Sequence, residues 1–274
     1  MSEYLLEFRD IYYSYPLATA PTLQGLSFGL PKHKKTAIIG ENGCGKSTMF
    51  LIADGLCKPD RGTVMLDNLP LTFDQAPLKR WRQRVGLVFQ DPEHQLVAPT
   101  VAADISYGLY NQGLSESEVA IKVTKTLADF NLETLAMCPL QHLSLGQKKR
   151  VSIAGVMALQ PELLLLDEPT AYLDPVQTRN LLIELESIAQ RGTTLLIATH
   201  DLDFVYRWAD WILVMERGKL IAEGETLAVF EQLQLMPNFE LGMPMLWQIW
   251  SRLAPKMPQV SAPRSIKELM GLFP

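Results

Sequence analysis

The sequence has few cysteines and no excess of basic residues. Its 274 residues include three cysteines, Cys44, Cys57 and Cys138, which give no disulfide framework and favour a reducing compartment. Lysine and arginine number 25 against 30 acidic residues, a formal charge of -5, which argues against a dedicated nucleic-acid binder because such proteins usually carry a basic face. The four histidines lack the spacing of metal ligands, so we expect no metal ion to be held by them.

Long hydrophobic runs are also missing. No stretch approaches the ~18 uncharged apolar residues that a membrane-spanning helix needs, because the most apolar region, 153–166, is interrupted by Gln160, Pro161 and Glu162. The N-terminus reads MSEYLLEFRD, with acidic residues where a signal peptide would carry lysine or arginine. With 47% hydrophobic and 20% charged residues, the composition is typical of a soluble globular protein of one large domain or two smaller ones.

Four short apolar runs predict the strands of a largely parallel sheet. They have four to seven residues and no polar alternation, as is typical of strands buried on both faces. Segments with a helical pattern lie between them, so the sequence predicts an α/β fold. Each run ends in a glycine loop, an amide, a carboxylate pair or a histidine, and open α/β sheets bind ligands beyond these carboxyl ends. The runs are residues 36–39, 85–89, 163–166 and 193–199.

The rest of the chain divides by its patterning. The first ~30 residues alternate and are rich in tyrosine and phenylalanine, which predicts antiparallel strands beside the sheet. Residues 92–158 have a mostly helical pattern, and after about residue 230 methionine and proline become frequent. We therefore predict a main domain at 1–230 with a helical subdomain at about 92–158, and a C-terminal appendage at 231–274 containing two short helices.

A phosphate-binding loop is the first motif that carries chemistry. Residues 40–48 read GENGCGKST, which fits G-x-x-x-x-G-K-[ST] between a predicted strand and a predicted helix. The glycines let backbone amides approach phosphate oxygens, and the helix N-terminus supplies positive potential. Lys46 would reach the β- and γ-phosphates of a nucleoside triphosphate, and the Ser47 hydroxyl would bind Mg²⁺. The predicted nucleotide-binding residues here are Gly40, Glu41, Asn42, Gly43, Cys44, Gly45, Lys46, Ser47 and Thr48, with Cys44 a small loop residue and not a redox centre.

Two adjacent acids follow the strand predicted at 163–166. Asp167 is placed to position Mg²⁺ beside a phosphate loop. Glu168, one residue further, can take a proton from an attacking water and would then be the general base. A pair of acids on a solvated turn is the alternative, and the phosphate loop in the same chain makes it the weaker interpretation.

A third motif reduces the number of protein families to which the chain could belong. Residues 143–147 read LSLGQ, and Ser144 is a good N-cap for a helix whose free N–H groups would face an anion other than the one in the phosphate loop. Over roughly residues 4–230 the chain resembles the ATP-binding-cassette (ABC) family, whose signature segment contacts ATP held by a second subunit. In that family the residue at Leu145 is usually glycine, so the side chain of Leu145 could crowd the partner's ATP.

The resemblance implies further site residues. Ser144, Gly146 and Gln147 would bind the ATP of the second subunit, and residues 171–174 would form a dimer-facing loop. Tyr15 would stack on adenine, with Tyr12 and Tyr13 as alternatives for that role. The remaining predicted catalytic contacts, besides Lys46 and Glu168, are Gln90, which would join Mg²⁺ and the attacking water, and His200, which would touch the γ-phosphate.

A closer resemblance comes from residues 89–101, FQDPEHQLVAPTV, followed by Asp104 and Ile105. This stretch is similar to the ATPases of the energy-coupling-factor type, which drive importers of metal ions and vitamins. The segments GENGCGKST, LSLGQKKRVSIAG and THDLDFVY look most like the cobalt or nickel branch, called CbiO. The resemblance implies that the segment from Asp91 to Asp104 contacts integral membrane subunits, and an ordinary loop with a helix cap is the alternative.

The appendage carries an apolar stripe at helical spacing. Leu246, Ile249, Trp250 and Leu253 lie at i, i+3, i+4 and i+7. The stripe is predicted to pack on the chain's own domain, with a dimer contact next and membrane-surface binding third because no lysine or arginine cluster flanks it.

The sequence thus predicts an ATP-hydrolysing, Mg²⁺-dependent subunit of an importer for cobalt or nickel, lying peripherally on the cytoplasmic face of the membrane. It would form a dimer with an identical or related ATPase subunit and bind no nucleic acid. The ATPase of a vitamin importer and a non-transport ABC ATPase are the alternatives. A small-molecule kinase is a third possibility, but the segment LSLGQ would have no role in such an enzyme.

Overall fold

The computed structural model describes residues 3–236, 241–257 and 259–273. It divides into two compact units. The first unit comprises Met1–Ile52, Cys57–Pro70 and Leu196–Pro274. The second unit comprises Ala53–Leu56 and Leu71–Leu195.

The elements alternate along the chain as an α/β fold requires. The strands are β1 (Tyr4–Tyr13), β2 (Leu23–Pro31), β3 (Lys35–Gly40), β4 (Arg61–Leu66), β5 (Leu69–Pro70), β6 (Val85–Val88), β7 (Leu163–Asp167), β8 (Thr194–Ala198), β9 (Trp211–Glu216) and β10 (Lys219–Glu225). The α-helices are α1 (Lys46–Ala53), α2 (Gln75–Arg84), α3 (Val101–Asn111), α4 (Glu116–Asp129), α5 (Leu145–Met157), α6 (Pro175–Gln190), α7 (Leu202–Trp208), α8 (Thr226–Gln234), α9 (Met245–Leu253) and α10 (Ile266–Met270). Short 3₁₀ helices span Pro92–His94, Glu133–Leu135, Leu140–His142 and Ala254–Lys256.

The first unit contains the predicted antiparallel strands. Four strands form a sheet in the order β2-β1-β4-β5. Phe8 of β1 lies opposite Phe28 on one side and Val64 on the other, and the two phenylalanine rings stack with centroids 4.8 Å apart. Alternating burial along β1 and β2 places these aromatic residues in the core, which is the pattern expected of a sheet with one covered face.

Parallel pairing in both units confirms the predicted α/β architecture. In the first unit β3 pairs parallel with β9, from Thr36 opposite Trp211 to Gly40 opposite Met215, and β10 runs antiparallel to β9. In the second unit β6 pairs parallel with β7 over their whole common length. The four predicted runs are the strands β3, β6, β7 and β8, and nearly every residue in them is buried.

The helical segment is also confirmed, because α3, α4, α5 and three 3₁₀ helices occupy most of residues 92–158 in the second unit. Helix α4 begins at a capping box in which the Ser115 hydroxyl accepts a hydrogen bond from the Glu118 N–H and the Glu118 carboxylate accepts one from the Ser115 N–H. Helix α5 begins in the same way at Ser144 and Gln147, so the predicted N-cap is confirmed.

The two short helices predicted in the appendage are α9 and α10 of the first unit. The predicted apolar stripe is only partly buried, because Ile249 is 43% exposed while Leu246 and Trp250 are buried. Trp247 takes the expected place of Ile249: its ring lies 5.9 Å from that of Tyr206, and its indole N–H donates to Gln234 Oε1. The prediction that Ile249 belongs to the packed face is therefore wrong.

Within the part of the chain that the structure describes, we find no helix long and apolar enough to cross a membrane.

Candidate functional site

The phosphate-loop pattern lies between β3 and α1, as predicted. Gly40, the last residue of β3, approaches the neighbouring strand so closely that a Cβ at this position would lie 2.3 Å from the carbonyl oxygen of Met215. Gly45 has a φ of +110°, a conformation that side-chain-bearing residues rarely adopt. Glycine is therefore required at both positions by the path of the backbone, and this path leads directly into the N-terminus of α1.

Lys46 is the charged side chain enclosed by this loop. It is buried, and its ammonium donates hydrogen bonds to the carbonyl oxygens of Gly40, at 2.7 Å, and Glu41, at 3.0 Å. Ser47 follows at the second position of α1 and is exposed. A loop that combines an enclosed ammonium, a helix N-terminus and an accessible hydroxyl is chemically suited to a polyphosphate with a bound cation.

Among the three tyrosines predicted for adenine, Tyr15 is the one tied to the phosphate loop. Its hydroxyl lies 3.1 Å from Thr48 Oγ1, and the residue is 41% exposed. Tyr12 lies under the guanidinium of Arg61, with 5.4 Å between the guanidinium carbon and the ring centroid. Tyr13 meets the edge of Tyr15, and a hydrogen bond with Cys57 raises its pKa to about 12. The exposed ring beside the loop is thus that of Tyr15.

His200 follows β8 and precedes α7 in the first unit. The N–H of Thr199 donates to the carbonyl oxygen of Ile38 on β3, at 3.1 Å, so the chain leaves this strand beside the one that enters the phosphate loop. Asp201 caps α7 by accepting from the Phe204 N–H at 2.9 Å. The predicted residues Tyr15, Lys46 and His200 therefore all belong to the first unit, and the backbone places His200 at the carboxyl edge of β3.

The second unit holds the acidic half of the predicted site. Asp167 ends β7, and Asp167 and Glu168 are both buried. Gln90 comes two residues after β6, whose last residue Val88 lies opposite Leu166 of β7, so Gln90 and Asp167 are at the same edge of this strand pair. Glu168 adopts a left-handed φ of +44°. Carboxylate, amide and hydroxyl oxygens are ligands that Mg²⁺ accepts, so the donors predicted at Ser47, Gln90 and Asp167 fit that ion chemically.

Lys149 is a site residue that sequence reasoning missed. It lies on α5 and is 4% exposed, and its ammonium donates to three backbone carbonyl oxygens that follow β7: Glu168 at 3.2 Å, Pro169 at 2.9 Å and Ala171 at 2.8 Å. Burial lowers the pKa of Lys149 to about 8, although the nearby charge of Glu168 opposes the shift. In the sequence Lys149 stands in KKR, a run that reads as a solvated helix face.

The signature segment opens α5. The Ser144 N–H donates to Gln147 Oε1 at 2.8 Å, and the Gln147 N–H donates back to Ser144 Oγ at 3.3 Å. Ser144 is exposed, and so is Leu145, at 36%. A Cβ at Gly146 would lie 2.8 Å from the amide end of the Gln177 side chain on α6, so a larger residue here would require that side chain to move. The N-terminus of α5 is therefore open to solvent with the Leu145 side chain beside it.

A polar cavity of about 240 Å³ lies behind this helix end, between α5 and α6. The guanidinium of Arg150 and the carboxylate of Glu184 meet across it at 2.7 Å. Burial raises the pKa of Glu184, and Arg150 opposes that shift. This ion pair fixes α5 against α6 in the second unit.

The loop predicted to face a dimer partner, 171–174, runs into α6. Tyr172 is exposed and has a left-handed φ of +63°. Asp174 caps α6, since its carboxylate accepts from the N–H groups of Val176 and Gln177, both at 2.8 Å. The loop thus presents an aromatic side chain to solvent on a fixed backbone.

The segment from Asp91 to Asp104 is held to α5 by polar contacts. Gln95 accepts from the Phe89 N–H at 3.1 Å and donates to the carbonyl oxygen of Ser152 at 3.3 Å. The ammonium of Lys148 pairs with the Glu93 carboxylate. Asp104 accepts from the N–H groups of Val97 and Ala98, and the apolar side chain of Val97 is exposed.

Comparison with known proteins agrees with this geometry. The pattern that defines the ABC transporter family matches residues 23–171. A protein of a Nostoc species that carries the provisional name of an ABC transporter ATP-binding protein is 51% identical over 250 residues, which is 91% of both chains. The energy-coupling factor transporter ATP-binding protein EcfA of Methanocaldococcus jannaschii is 41% identical over 241 residues, covering 88% of this chain and 86% of that protein.

The fold is similar to solved structures as well. The structure of cbiO1 from Clostridium perfringens, part of the ABC transporter complex cbiONQ, superposes with a TM-score of 0.78 at 34% identity. The match covers 94% of this chain and 97% of that one.

Proposed function

Because the chain belongs to the ABC transporter family and, within it, to the ATP-binding subunits of the energy-coupling-factor type, we propose that it is the ATPase of an importer for cobalt or nickel ions. Membership makes it an ATP-binding and ATP-hydrolysing protein. The observation that carries the ATPase assignment is the enclosed ammonium of Lys46 between β3 and α1.

Different residues of the chain would have different roles in phosphoryl transfer. In the proposal, Lys46 and the amides of residues 40–48 bind the β- and γ-phosphates, and Tyr15 stacks on adenine. Ser47, Gln90 and Asp167 hold Mg²⁺, which supplies positive charge to the transferred phosphoryl group when bound. His200 contacts the γ-phosphate.

Glu168 is proposed as the general base. A carboxylate that follows a buried strand can accept a proton from water in line with the γ-phosphate. Its burial keeps bulk water away, and its backbone is fixed by the contacts with Lys149. Charge stabilisation around the phosphates supplies most of the rate enhancement, and the base adds to it.

The signature segment is proposed to complete the site of a second copy or a related subunit. The exposed N-terminus of α5, at Ser144, Gly146 and Gln147, supports this role because its N–H groups and helix dipole attract an anion. Residues 1–230 would form the ATPase domain, and the appendage at 231–274 is a further candidate dimer contact, with Met245 and Ile249 exposed on α9.

Membrane subunits are proposed to bind the segment from Asp91 to Asp104, which would place the protein peripherally on the cytoplasmic face of the membrane. Exposed Val97 on this segment, which Gln95 fixes to α5, and exposed Tyr107 just beyond it on α3 support a protein contact there.

The proposal that the transported ion is cobalt or nickel is based on the similarity to cbiO1 of the cbiONQ complex. The test is co-purification of the chain with its membrane subunits, followed by ATP-dependent uptake of cobalt, nickel and a panel of vitamins into proteoliposomes. Lys46→Ala in the same complex is the control for ATP dependence. Uptake of a vitamin with no uptake of either metal would assign the vitamin importer instead, and tight ribosome or DNA binding without membrane subunits would favour a non-transport ATPase.

A further inference from the structure

Lys149 is a buried cation whose hydrogen bonds are all used on one loop. An ammonium has three N–H donors, and the carbonyl oxygens of Glu168, Pro169 and Ala171 lie at 3.2, 2.9 and 2.8 Å from its nitrogen. Burying a charged group is costly unless it is hydrogen-bonded. Lys149 is 4% exposed and uses every donor on this loop. Its hydrogen bonds with the loop, and not exposure on the helix surface, therefore explain the presence of a lysine at this position.

The loop that Lys149 binds is conformationally demanding. Glu168 and Tyr172 both have left-handed φ values, +44° and +63°, which are unfavourable for residues with a side chain. Two turn hydrogen bonds support the loop from within, from the Ala171 N–H to Glu168 O and from the Leu173 N–H to Thr170 O. Three charge-assisted bonds from outside add to these two, so the ammonium is a main support of the backbone that carries Glu168.

We propose that Lys149 is a positioning residue for ATP hydrolysis, which holds the backbone at residues 168–171 in the conformation that aligns the Glu168 carboxylate. The inference rests on the proposed role of Glu168 as general base. It adds a link between two sites: α5 presents Ser144 at its N-terminus to the ATP of a second subunit, and Lys149, about one turn further on, binds the loop that carries the base of the chain's own site. A change in the position of the N-terminal end of α5 would therefore also change the alignment of Glu168.

The first test replaces Lys149 by methionine, an unbranched side chain one atom shorter that fills most of the same space and removes every donor. We expect kcat for ATP hydrolysis by the full-length protein to fall roughly 10²-fold, the size of effect that follows from misplacing a reacting group by about 1 Å. The KM for ATP and ATP-dependent dimerisation, measured by light scattering, should stay within about threefold of the parent. Lys148→Met is the matched control, since the ammonium of Lys148 pairs with Glu93 and does not contact this loop.

A second variant guards against loss of folding. Lys149→Gln offers at most two donors on a shorter chain, and its kcat should lie between those of the parent and of Lys149→Met. If the methionine variant does not fold, the glutamine variant alone must show the lowered kcat with unchanged KM. Parallel loss of nucleotide binding and kcat in a folded variant would overturn the proposal, since that pattern marks a general structural role.

A double variant separates this inference from the proposed function. If Lys149 acts through Glu168, Lys149→Met should reduce kcat no further in a Glu168→Gln background. A full 10²-fold further reduction there would overturn the positioning role while leaving Glu168 as the base. Parental turnover by Glu168→Gln alone would instead contradict the base assignment, and Lys149 with it.

Discussion

Asp54 offers a sharp test of burial in the second unit. It is in the short segment Ala53–Leu56, and its side chain is only 12% exposed. Arg82 is its nearest cation, but the guanidinium Nε lies 3.9 Å from the carboxylate, and the same guanidinium donates to the carbonyl oxygen of Gly55 at 2.8 Å. Burial therefore outweighs the ion pair and raises the pKa of Asp54 from 3.8 to about 6.

The sign and size of the effect follow from that shift. A carboxyl whose pKa is higher in the folded than in the unfolded protein binds more protons when folded, so its contribution to stability is lost as the pH rises from about 4 to about 6. A shift of about two units corresponds to roughly 3 kcal/mol at neutral pH, an upper bound because the side chain is partly solvated. Asp54→Asn removes this cost, and Arg82 keeps its bond to Gly55.

We expect Asp54→Asn to stabilise the protein by roughly 1–3 kcal/mol at pH 8, which corresponds to several degrees in Tm, and to have little effect at pH 4. The measurement is denaturant or thermal unfolding of both proteins at several pH values, with ATPase activity as a check on folding. Taking the difference between the two proteins cancels the other titrating groups. Equal dependence of stability on pH in the two proteins would refute the reasoning.

Three further predictions concern residues described above. Glu168→Gln should keep ATP binding and lower turnover by roughly 10²–10⁴-fold, the usual contribution of a general base; parental turnover in a steady-state ATPase assay would contradict it. Ser144→Arg should block ATP-driven dimerisation with nucleotide affinity nearly intact, because it places bulk and charge at an exposed helix end; an unchanged ATP-dependent mass in light scattering would count against it. Arg264→Ala should destabilise the protein by roughly 1–3 kcal/mol, because the guanidinium donates to the carbonyl oxygens of Tyr206 and Ala209 at the end of α7; denaturant unfolding measures this, and an unchanged midpoint would argue that water replaces the arginine.

Local signals predicted those parts of the molecule in which neighbouring residues determine the structure. The phosphate loop is a contiguous pattern of glycines and Lys46, and the cap at Ser144 needs only Gln147 three residues later. Buried parallel strands reveal themselves because both faces are covered, so that 163–166 is uninterrupted leucine. Each of these features is contained within about ten residues.

Long-range packing decided the features that the sequence did not predict. Lys149 and Glu168 are 19 residues apart, and nothing in KKR distinguishes the buried lysine from its partly exposed neighbour. Helical spacing at α9 could not predict whether Ile249 or Trp247 is buried. The answer depends on the position of the Tyr206 ring, which belongs to a residue more than forty positions earlier. In both cases the deciding group arrives through tertiary structure.

The contacts at the two ends of α7 change how the C-terminal segment should be regarded. A helix of seven residues has too few turns to be stable by itself, so its position is decided by what fastens it. Asp201 secures the end next to His200, and Arg264 together with the Tyr206 hydroxyl bond to Pro263 secures the opposite end. The C-terminal segment thus supports the end of α7 that lies away from His200, and removing it would loosen this helix as well as shorten the chain.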